Sequence, residues 1–234
     1  MRLDQHLLGE QHFKSREKAK QSIEAGEVLV NGIVCTKASK KVQPQDSIEL
    51  TNKEKFVSRS GHKLLAALEQ FKVDVEELTC LDIGSSTGGF TQCLLKKSAY
   101  KVISVDVGTK QMHPSISENP KVELHENTDF RKFESPNKFD IIVIDVSFIS
   151  LQKIIPHLKK FTTPNSIILT LFKPQFEVGK EHLKKGICRH PNIQEVIDEF
   201  GEFIVEHNLH IKKQIKVPLK GKGGNQEYFL QILN

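Results

Sequence analysis

The chain has 234 residues, of which 38% are hydrophobic and 27% charged, and its formal net charge at pH 7 is +5. This length suits one large domain with a small one, and it is enough to bury a core. No apolar run approaches the length of a membrane span, and the N-terminus lacks the apolar segment of a signal peptide. The four cysteines have neither C-x-x-C nor zinc spacing, so we expect reduced thiols in a cytoplasmic protein without a metal site.

Residues 1–50 are predicted to form a small α+β domain. A short amphipathic helix covers residues 2–8, and Ser15 is a suitable N-cap for a second helix that ends before Gly26. Strands are predicted at 28–30 and 33–35, joined by an Asn31-Gly32 hairpin turn, and at 48–50. Basic residues are concentrated here, because residues 1–60 hold 11 Lys and Arg against 8 Asp and Glu.

The order of these features resembles the small RNA-binding module named after the fourth small-subunit ribosomal protein. Charge alone is equally consistent with a solvated helix face, and the module resemblance favours RNA binding. It implies that the helix starting near Ser15-Arg16 lies against the RNA backbone, where contacts to phosphate are sensitive to salt. The RNA-binding residues expected in this module are Arg2, Ser15, Arg16, Lys18 and Lys20. Residues 51–57 are polar and are predicted to form a linker to a second domain at 58–234.

A glycine-rich turn follows the predicted strand that ends at Asp82-Ile83, and a helix resumes near Phe90. The spacing Asp-x-Gly-x-x-x-Gly-Gly excludes the dinucleotide fingerprint and the P-loop, and it resembles the first motif of S-adenosylmethionine-dependent methyltransferases. The alternative is a glycine turn beside a capping Asp. The next predicted strand ends in Asp106, 24 residues after Asp82, where a carboxylate can accept both ribose hydroxyls of a nucleoside. Gly84 is expected to relieve backbone strain, and Gly88 and Gly89 to let a ligand approach the main chain.

Strands and helices alternate through the rest of the chain. Further strands are predicted at 122–124, 139–145, 166–172, 209–217 and 226–233, and helices at 61–71, from 146 onward and at 192–206. The pattern predicts an α/β fold, a Rossmann-like doubly wound, mainly parallel seven-stranded sheet. The expected cofactor-binding residues are Asp82, Gly84, Ser85, Ser86, Thr87, Gly88, Gly89, Phe90, Asp106, Val107, Thr128, Asp129 and Asp145.

Two sequence patterns that are absent reduce the choice of atom that accepts the methyl group. The segment Asp145-Val146-Ser147-Phe148 lacks the prolines of base amino-methyltransferases, and Cys188 lacks the Pro-Cys context of cytosine carbon methylation. A hydroxyl acceptor remains, and it must be deprotonated or have its alkoxide stabilised. A lysine held neutral, or a lysine cation beside the forming alkoxide, can do this.

Six motifs occur in order between residues 58 and 228: Ser58-Arg59 with Lys63-Leu64; Leu81-Asp82 with Gly84 and Ser86-Thr87-Gly88-Gly89-Phe90; Val105-Asp106-Val107-Gly108; Asp145-Val146-Ser147-Phe148-Ile149-Ser150-Leu151; Lys173-Pro174-Gln175-Phe176-Glu177-Val178-Gly179; and Gly224-Asn225 with Glu227-Tyr228. With the N-terminal module, they resemble the TlyA family, whose catalytic domain is similar to FtsJ-type ribose 2′-O-methyltransferases. The resemblance implies a catalytic tetrad of Lys63, Asp145, Lys173 and Glu227. In it Lys173 activates the ribose hydroxyl, Asp145 and Glu227 orient and tune that lysine, and Lys63 positions the acceptor.

The resemblance also implies a cofactor, S-adenosylmethionine, and a partner, ribosomal RNA. Family substrates are cytidine riboses of the large subunit and, in some longer members, of the small subunit, so we expect methylation of the large subunit. A basic loop at 180–191 is expected to contact RNA or close over the site, although a plain surface loop is equally consistent; with Arg59 it contributes the RNA-binding residues Lys184, Lys185 and Arg189. No catalytic metal is expected. The alternatives are a haemolysin, the label often given to this family, and a non-catalytic RNA-binding factor for ribosome assembly.

Overall fold

The computed structural model of the chain describes residues 1–13, 15–50, 56–219, 221 and 223–234. It divides into two compact units, Met1–Lys55 and Phe56–Asn234. Most of the predicted linker lies outside the described residues, and the second unit begins at Phe56, within that predicted linker. Within the described parts of the chain, none of the helices is both long and apolar enough to cross a membrane.

The first unit packs two helices against a small antiparallel sheet whose strand order is β2–β1–β3. Its elements are α1 Leu3–Gly9, α2 Arg16–Glu24, β1 Val28–Val30, β2 Ile33–Val34 and β3 Ile48–Leu50. The hydroxyl of Ser15 accepts a hydrogen bond from the amide of Lys18, which caps α2 as predicted. Asn31 and Gly32 both have positive φ and form the predicted tight hairpin turn.

The second unit is built on a seven-stranded sheet with the order β11–β12–β8–β7–β4–β5–β6. Its elements are α3 Arg59–Phe71, β4 Thr79–Ile83, α4 Gly89–Lys96, β5 Lys101–Val105, α5 Pro114–Ser117, β6 Val122–His125, β7 Phe139–Ile144, β8 Thr162–Phe172, α6 Pro174–Glu177, β9 Leu183–Lys184, β10 Ile187–Cys188, α7 Ile193–Val205, β11 His210–Lys216 and β12 Tyr228–Leu233. Strands β4 to β8 are parallel, and β12 runs antiparallel to both of its neighbours. The predicted doubly wound, mainly parallel fold is therefore confirmed.

The order of strands reverses beside β4. The chain moves from β4 outward to β5 and β6, and then returns so that β7 pairs with the other edge of β4. In open α/β sheets, ligands bind where the strand order reverses, outside the carboxyl ends of the strands. The loops that leave β4 and β7 therefore border the expected site.

These two loops approach each other closely at Gly84, which follows β4. Gly84 has a φ of +84°, and a Cβ added to it would lie 2.6 Å from the carbonyl oxygen of Asp145, which follows β7. Glycine is the residue that tolerates both the backbone angle and this contact. The absence of a side chain at Gly84 therefore allows the loops after β4 and β7 to lie this close together.

The segment after β7 differs from the predicted helix. Residues Leu151–Lys153, Ile155–His157 and Lys159–Phe161 form three separate 3₁₀ turns. Pro156 has no amide hydrogen to donate, so a continuous α-helix across this segment would be interrupted. The apolar residues whose spacing predicted a helix are nevertheless buried, because Leu151, Ile155 and Leu158 lie in the core.

We predict that Gly84→Ala lowers the free energy of unfolding by more than 2 kcal/mol, because it adds a steric clash to about 1–2 kcal/mol of left-handed backbone strain. Gly224→Ala is the matched control, since Gly224 has a φ of +87° but a Cβ there meets no described atom within 4 Å. Urea unfolding of both variants measures the difference. If both variants lose the same free energy of unfolding, the close approach of the two loops at Gly84 makes no contribution to stability.

Candidate active site

The glycine loop after β4 is shaped by a carboxylate from the neighbouring strand. Asp106, which follows β5, accepts one hydrogen bond from the amide of Ser86 at 2.8 Å and another from the amide of Gly108 at 2.6 Å. Gly84, Ser86 and Gly88 all have positive φ, so the loop turns tightly over the end of the sheet. The loop and Asp106 therefore form one hydrogen-bonded edge.

Asp82 lies beneath this loop and is fully buried. The hydroxyl of Thr91 donates to its carboxylate at 2.6 Å and lies 2.9 Å from the hydroxyl of Ser104. Burial raises the pKa of Asp82 to about 7, and the hydrogen bond from Thr91 opposes that rise. Asp82 was predicted to bind the cofactor, but it lines neither cavity described below, so its contact is with the helix that follows the loop.

Two other loop glycines serve internal packing. A Cβ on Gly89 would collide with the side-chain oxygens of Ser58 and Ser60, at the start of α3. A Cβ on Gly88 would lie 3.2 Å from side-chain atoms of Met112 and Ile116. These glycines were expected to admit a ligand, and the close approach at both is made by the protein itself.

One cavity of about 520 Å³, the glycine-loop cavity, lies at the ends of β4, β5 and β7. Seven of the residues expected to bind the cofactor line it: Gly84, Ser86, Asp106, Val107, Thr128, Asp129 and Asp145. Gln111 and Arg131 also line this cavity, although the sequence motifs do not predict a role for them. Gln111 accepts from the Ser86 hydroxyl, and Arg131 is paired with Asp129 at 2.5 Å, which lowers the pKa of that carboxyl to about 2.

A second cavity of about 700 Å³, the lysine cavity, contains all four residues of the expected tetrad: Lys63, Asp145, Lys173 and Glu227. Ser85, Thr87, Phe90 and Arg59 line this cavity rather than the first. The two cavities share a wall made of Gly84, Ser86, Asp145, Ser147 and Phe148. Sequence order and strand topology thus bring the tetrad together beside the glycine loop.

Lys173 follows β8 and is held by one charge partner and two hydrogen-bond acceptors among the described residues. Its ammonium lies 2.6 Å from an oxygen of Asp145, and it donates to the carbonyl of Val146 at 2.9 Å and to the hydroxyl of Ser147 at 2.8 Å. A lysine ammonium has three hydrogens, and two of them are used in these hydrogen bonds. Lys173 is buried, so the effective dielectric around it is lower than in water and its attraction to the Asp145 carboxylate is stronger than it would be at the surface.

Lys63 and Glu227 form the second pair, although they are 164 residues apart in the chain. Lys63, on the second turn of α3, donates to Glu227, just before β12, at 2.5 Å. Both side chains are largely buried, so each charge depends on the other for compensation. This partner accounts for a lysine near the start of a helix, where the helix dipole alone disfavours a cation.

Glu177 connects the two motif loops and was given no role from the sequence. Its carboxylate accepts from the hydroxyl of Ser150 at 2.7 Å and from the amide of Leu151 at 2.9 Å. Burial raises the pKa of Glu177, and these two hydrogen bonds oppose the rise. The carboxylate fixes the segment that begins at Lys173 against the segment that begins at Asp145.

Phe148 stands at the shared wall of the two cavities with a φ of +63° and 92% of its surface exposed. Its ring lies 5.3 Å from the ring of Phe176, which lines the lysine cavity. Large residues rarely adopt such backbone angles, and exceptions concentrate at functional sites. The pair places an aromatic surface at the mouth of the site.

Comparison with known proteins places this geometry in a family. Residues 56–232 match the family model of FtsJ-like methyltransferases, and residues 1–48 match that of the S4 domain. The chain belongs to the TlyA family of FtsJ-like methyltransferases. Its first unit is therefore an S4 domain and its second a methyltransferase domain.

Two relatives and one solved structure illustrate the match. The chain is 40% identical over 237 residues to the 23S rRNA (cytidine-2′-O)-methyltransferase TlyA of Campylobacter jejuni, covering 92% of each chain. It is 35% identical to the 16S/23S rRNA (cytidine-2′-O)-methyltransferase TlyA of Mycobacterium tuberculosis, over 99% of this chain and 89% of the other. A solved structure from Streptococcus thermophilus, named a "putative hemolysin", superposes with a TM-score of 0.75 at 34% identity, covering 100% of this chain and 88% of that one.

In the S4 domain, a buried carboxylate orients two arginines. Asp4 accepts from Arg2 at 3.0 Å and from Arg16 at 2.8 Å, while both arginine side chains stay about half exposed. The guanidinium groups hold the pKa of Asp4 well below its usual range. Both arginines and Lys20 line one groove; Lys18 is exposed, and the hydroxyl of Ser15 is used as the cap of α2.

The basic loop of the methyltransferase domain is a structured hairpin. A 3₁₀ turn at Lys180–His182 leads into β9 and β10, which pair antiparallel. Lys184 and Lys185 are exposed, and Arg189 follows the second strand. Within the described residues, no group of three or more His, Cys, Asp and Glu side chains is arranged to hold a metal ion.

We predict that Asp82→Asn makes the methyltransferase domain more stable above pH 7 but not near pH 4. With a pKa of about 7 when folded and about 4 when unfolded, Asp82 binds a proton only in the folded state between these pH values. The free energy of unfolding of the natural protein therefore falls as pH rises from 4 to 7. The variant lacks this loss, and we expect a difference on the order of 2–4 kcal/mol at pH 8.

Urea unfolding at pH 4.5, 6 and 8 measures this difference. Glu118→Gln, at an exposed carboxylate, is the control. A difference between Asp82→Asn and the natural protein that stays constant with pH would contradict the assignment of a retained proton to Asp82.

Proposed function

We propose that this protein transfers a methyl group from S-adenosylmethionine to a ribose 2′-hydroxyl of ribosomal RNA, at a cytidine of the large subunit. One observation carries the proposal. Two buried lysine–carboxylate pairs line a single cavity, and that cavity shares a wall with the cavity of the glycine loop. A methyl donor and a hydroxyl acceptor bound in the two cavities would meet at Asp145 and Ser147.

The glycine-loop cavity has the donor and acceptor groups that S-adenosylmethionine requires. A carboxylate has about four lone-pair sites, and Asp106 uses two of them on backbone amides, so it can still accept from ribose hydroxyls. Val107 is 70% exposed at the rim and, with Phe130 and Ile149, offers apolar surface to an adenine ring. When bound, S-adenosylmethionine supplies an electrophilic methyl group on a sulfonium.

On the acceptor side, Lys173 is the group we assign to the ribose hydroxyl. A ribose hydroxyl is a poor nucleophile until its proton is lost or its developing negative charge is stabilised. The N–H that Lys173 donates to the exposed Ser147 can instead be donated to the oxygen of an entering hydroxyl. The ammonium then stabilises negative charge on that oxygen while the hydroxyl proton leaves to water and the oxygen takes up the methyl group. Asp145 keeps the lysine in place, and the Lys63–Glu227 pair borders the same cavity.

Aromatic and basic side chains in each domain, taken separately, suit an RNA chain. Aromatic rings stack unpaired bases, and Phe148 with Phe176 provides such a surface at the mouth of the site. Arg2 and Arg16 in the S4 domain, and the basic hairpin of the methyltransferase domain, offer cations to phosphates. The large subunit is proposed because the relative at 40% identity is named for 23S rRNA. We expect the enzyme to act in the cytoplasm, where ribosomal subunits are assembled.

We predict that Lys173→Met lowers the rate of methyl transfer by at least a hundredfold, because the variant fills the same space without a cation to stabilise negative charge on the ribose oxygen. Ribosomal subunits that lack the modification are incubated with labelled S-adenosylmethionine, and the products are mapped for ribose methylation. Lys213→Met, on the outer strand β11, is the matched control and should keep full activity.

Label in large-subunit RNA that disappears in Lys173→Met would support the reaction and the site together. Label that persists in this variant would show that another group activates the hydroxyl. If neither subunit is labelled by the natural protein, the proposed substrate is wrong.

We predict that replacing Arg2 and Arg16 with Gln weakens binding to ribosomal RNA and reduces its salt dependence. The log–log slope of affinity against salt should become shallower by about 0.7–0.9 for each phosphate that is no longer neutralised by an arginine. Filter binding from 50 to 300 mM KCl measures the slope, with Lys213→Gln as the control. An unchanged slope would remove these arginines from the RNA interface.

A further inference from the structure

Asn225 connects two parts of the methyltransferase domain. It is buried, and its side-chain oxygen accepts from the amide of Cys188 at 2.8 Å while its side-chain nitrogen donates to the carbonyl of Gly186 at 2.9 Å. Both partners belong to the basic hairpin, Leu183–Cys188. The amide group of Asn225 thus holds the hairpin by one acceptor and one donor.

The hairpin needs such a support from outside. It consists of two strands of two residues each, joined by Lys185 and Gly186, which both have positive φ. A two-stranded hairpin alone is at best marginally stable in water. Its turn nevertheless borders the lysine cavity, since Gly186 lines it, and Lys184 and Lys185 are exposed beside that turn.

The other end of the connection is the segment that carries Glu227. Asn225 is two residues before Glu227, and its carbonyl accepts from the amide of Gly221, so the segment is closed on itself. A Cβ on Gly221 would collide with the carboxylate of Glu227, which shows how tightly this turn encloses it. The position of Asn225 is therefore tied to the position of the Lys63–Glu227 pair.

We infer that Asn225 is a positioning residue: it fixes the basic hairpin to the segment carrying Glu227, so that the hairpin lysines hold RNA phosphates next to the nucleotide in the lysine cavity. The inference rests on the proposed function. Asparagine suits this role because it offers an acceptor and a donor on one short planar group, whereas Asp lacks the donor. Removing it would leave the amide of Cys188 and the carbonyl of Gly186 without these partners.

The connection itself is tested without RNA. In Asn225→Ala we expect at least tenfold faster hydrogen exchange of the Cys188 amide and at least threefold faster trypsin cleavage after Lys184 and Lys185. Asn137→Ala, at an exposed Asn, is the control. Unchanged exchange and cleavage, with an unchanged melting temperature, would overturn the inference whether or not the protein methylates RNA.

The role in substrate binding is tested by steady-state kinetics on unmodified large subunits. We expect Asn225→Ala to raise KM about tenfold, and Lys184→Ala/Lys185→Ala to raise it similarly. If Asn225 acts through the hairpin, adding Asn225→Ala to the lysine variant raises KM less than twofold further. A full tenfold further rise, or a loss confined to kcat, would overturn the inference.

These results separate the two proposals. If the natural protein does not methylate subunits, the proposed function fails, while exchange and cleavage still judge the connection. Asn225→Asp provides a conservative comparison: it keeps the acceptor for Cys188 and loses the donor to Gly186, so its exchange rate and KM should lie between those of the natural protein and Asn225→Ala. If Asn225→Asp is as impaired as Asn225→Ala in exchange, cleavage and KM, the hydrogen bond from the Cys188 amide makes no separate contribution, which would contradict the assignment of a role to each of the two hydrogen bonds.

Discussion

The close contact between Gly84 and the backbone of Asp145 is the constraint on which the site depends. It brings together the loops that leave β4 and β7, at the point where the strand order reverses. Because Gly84 and Asp145 line both cavities, this contact forms part of the wall that the cavities share. A side chain at Gly84 would push apart the two loops that make this wall.

Within that frame, two lysines are held by two carboxylates. Partial burial makes each pair costly to form, and removing one partner leaves a charge with little access to water. Such pairs are weak contributors to stability, and their value lies in orientation, because a buried ammonium with fixed acceptors has few alternative positions. The smaller contacts at Glu177 and Asn225 fix the loops from which these charged groups extend.

Sequence patterns predicted the sheet and the convergence of Asp106, Asp145 and Lys173, because polar residues at the ends of parallel strands share one edge. The tetrad came from motif resemblance, and its catalytic roles stay predictions. The roles of Glu177 and Asn225 could not be predicted, since they join segments distant in sequence through hydrogen bonds that leave no periodic signal. The helix expected after β7 was wrong because apolar spacing outweighed Pro156. The cofactor contact expected of Asp82 stays a prediction: its carboxylate is buried and lines neither cavity, and sequence alone does not distinguish a strand-end carboxylate that turns into the core from one that turns toward a ligand.

The arrangement of the outer strands has a consequence for how the protein matures. β12 follows β11 in the chain but lies between β11 and β8, so β11 has no neighbour in the sheet until β12 is inserted. Glu227 directly precedes β12, and its partner Lys63 lies on α3, which is much earlier in the chain. A chain interrupted before β12 would keep the glycine loop and Asp106 but lack a settled partner for Lys63. Formation of the Lys63–Glu227 pair is thereby coupled to completion of the sheet.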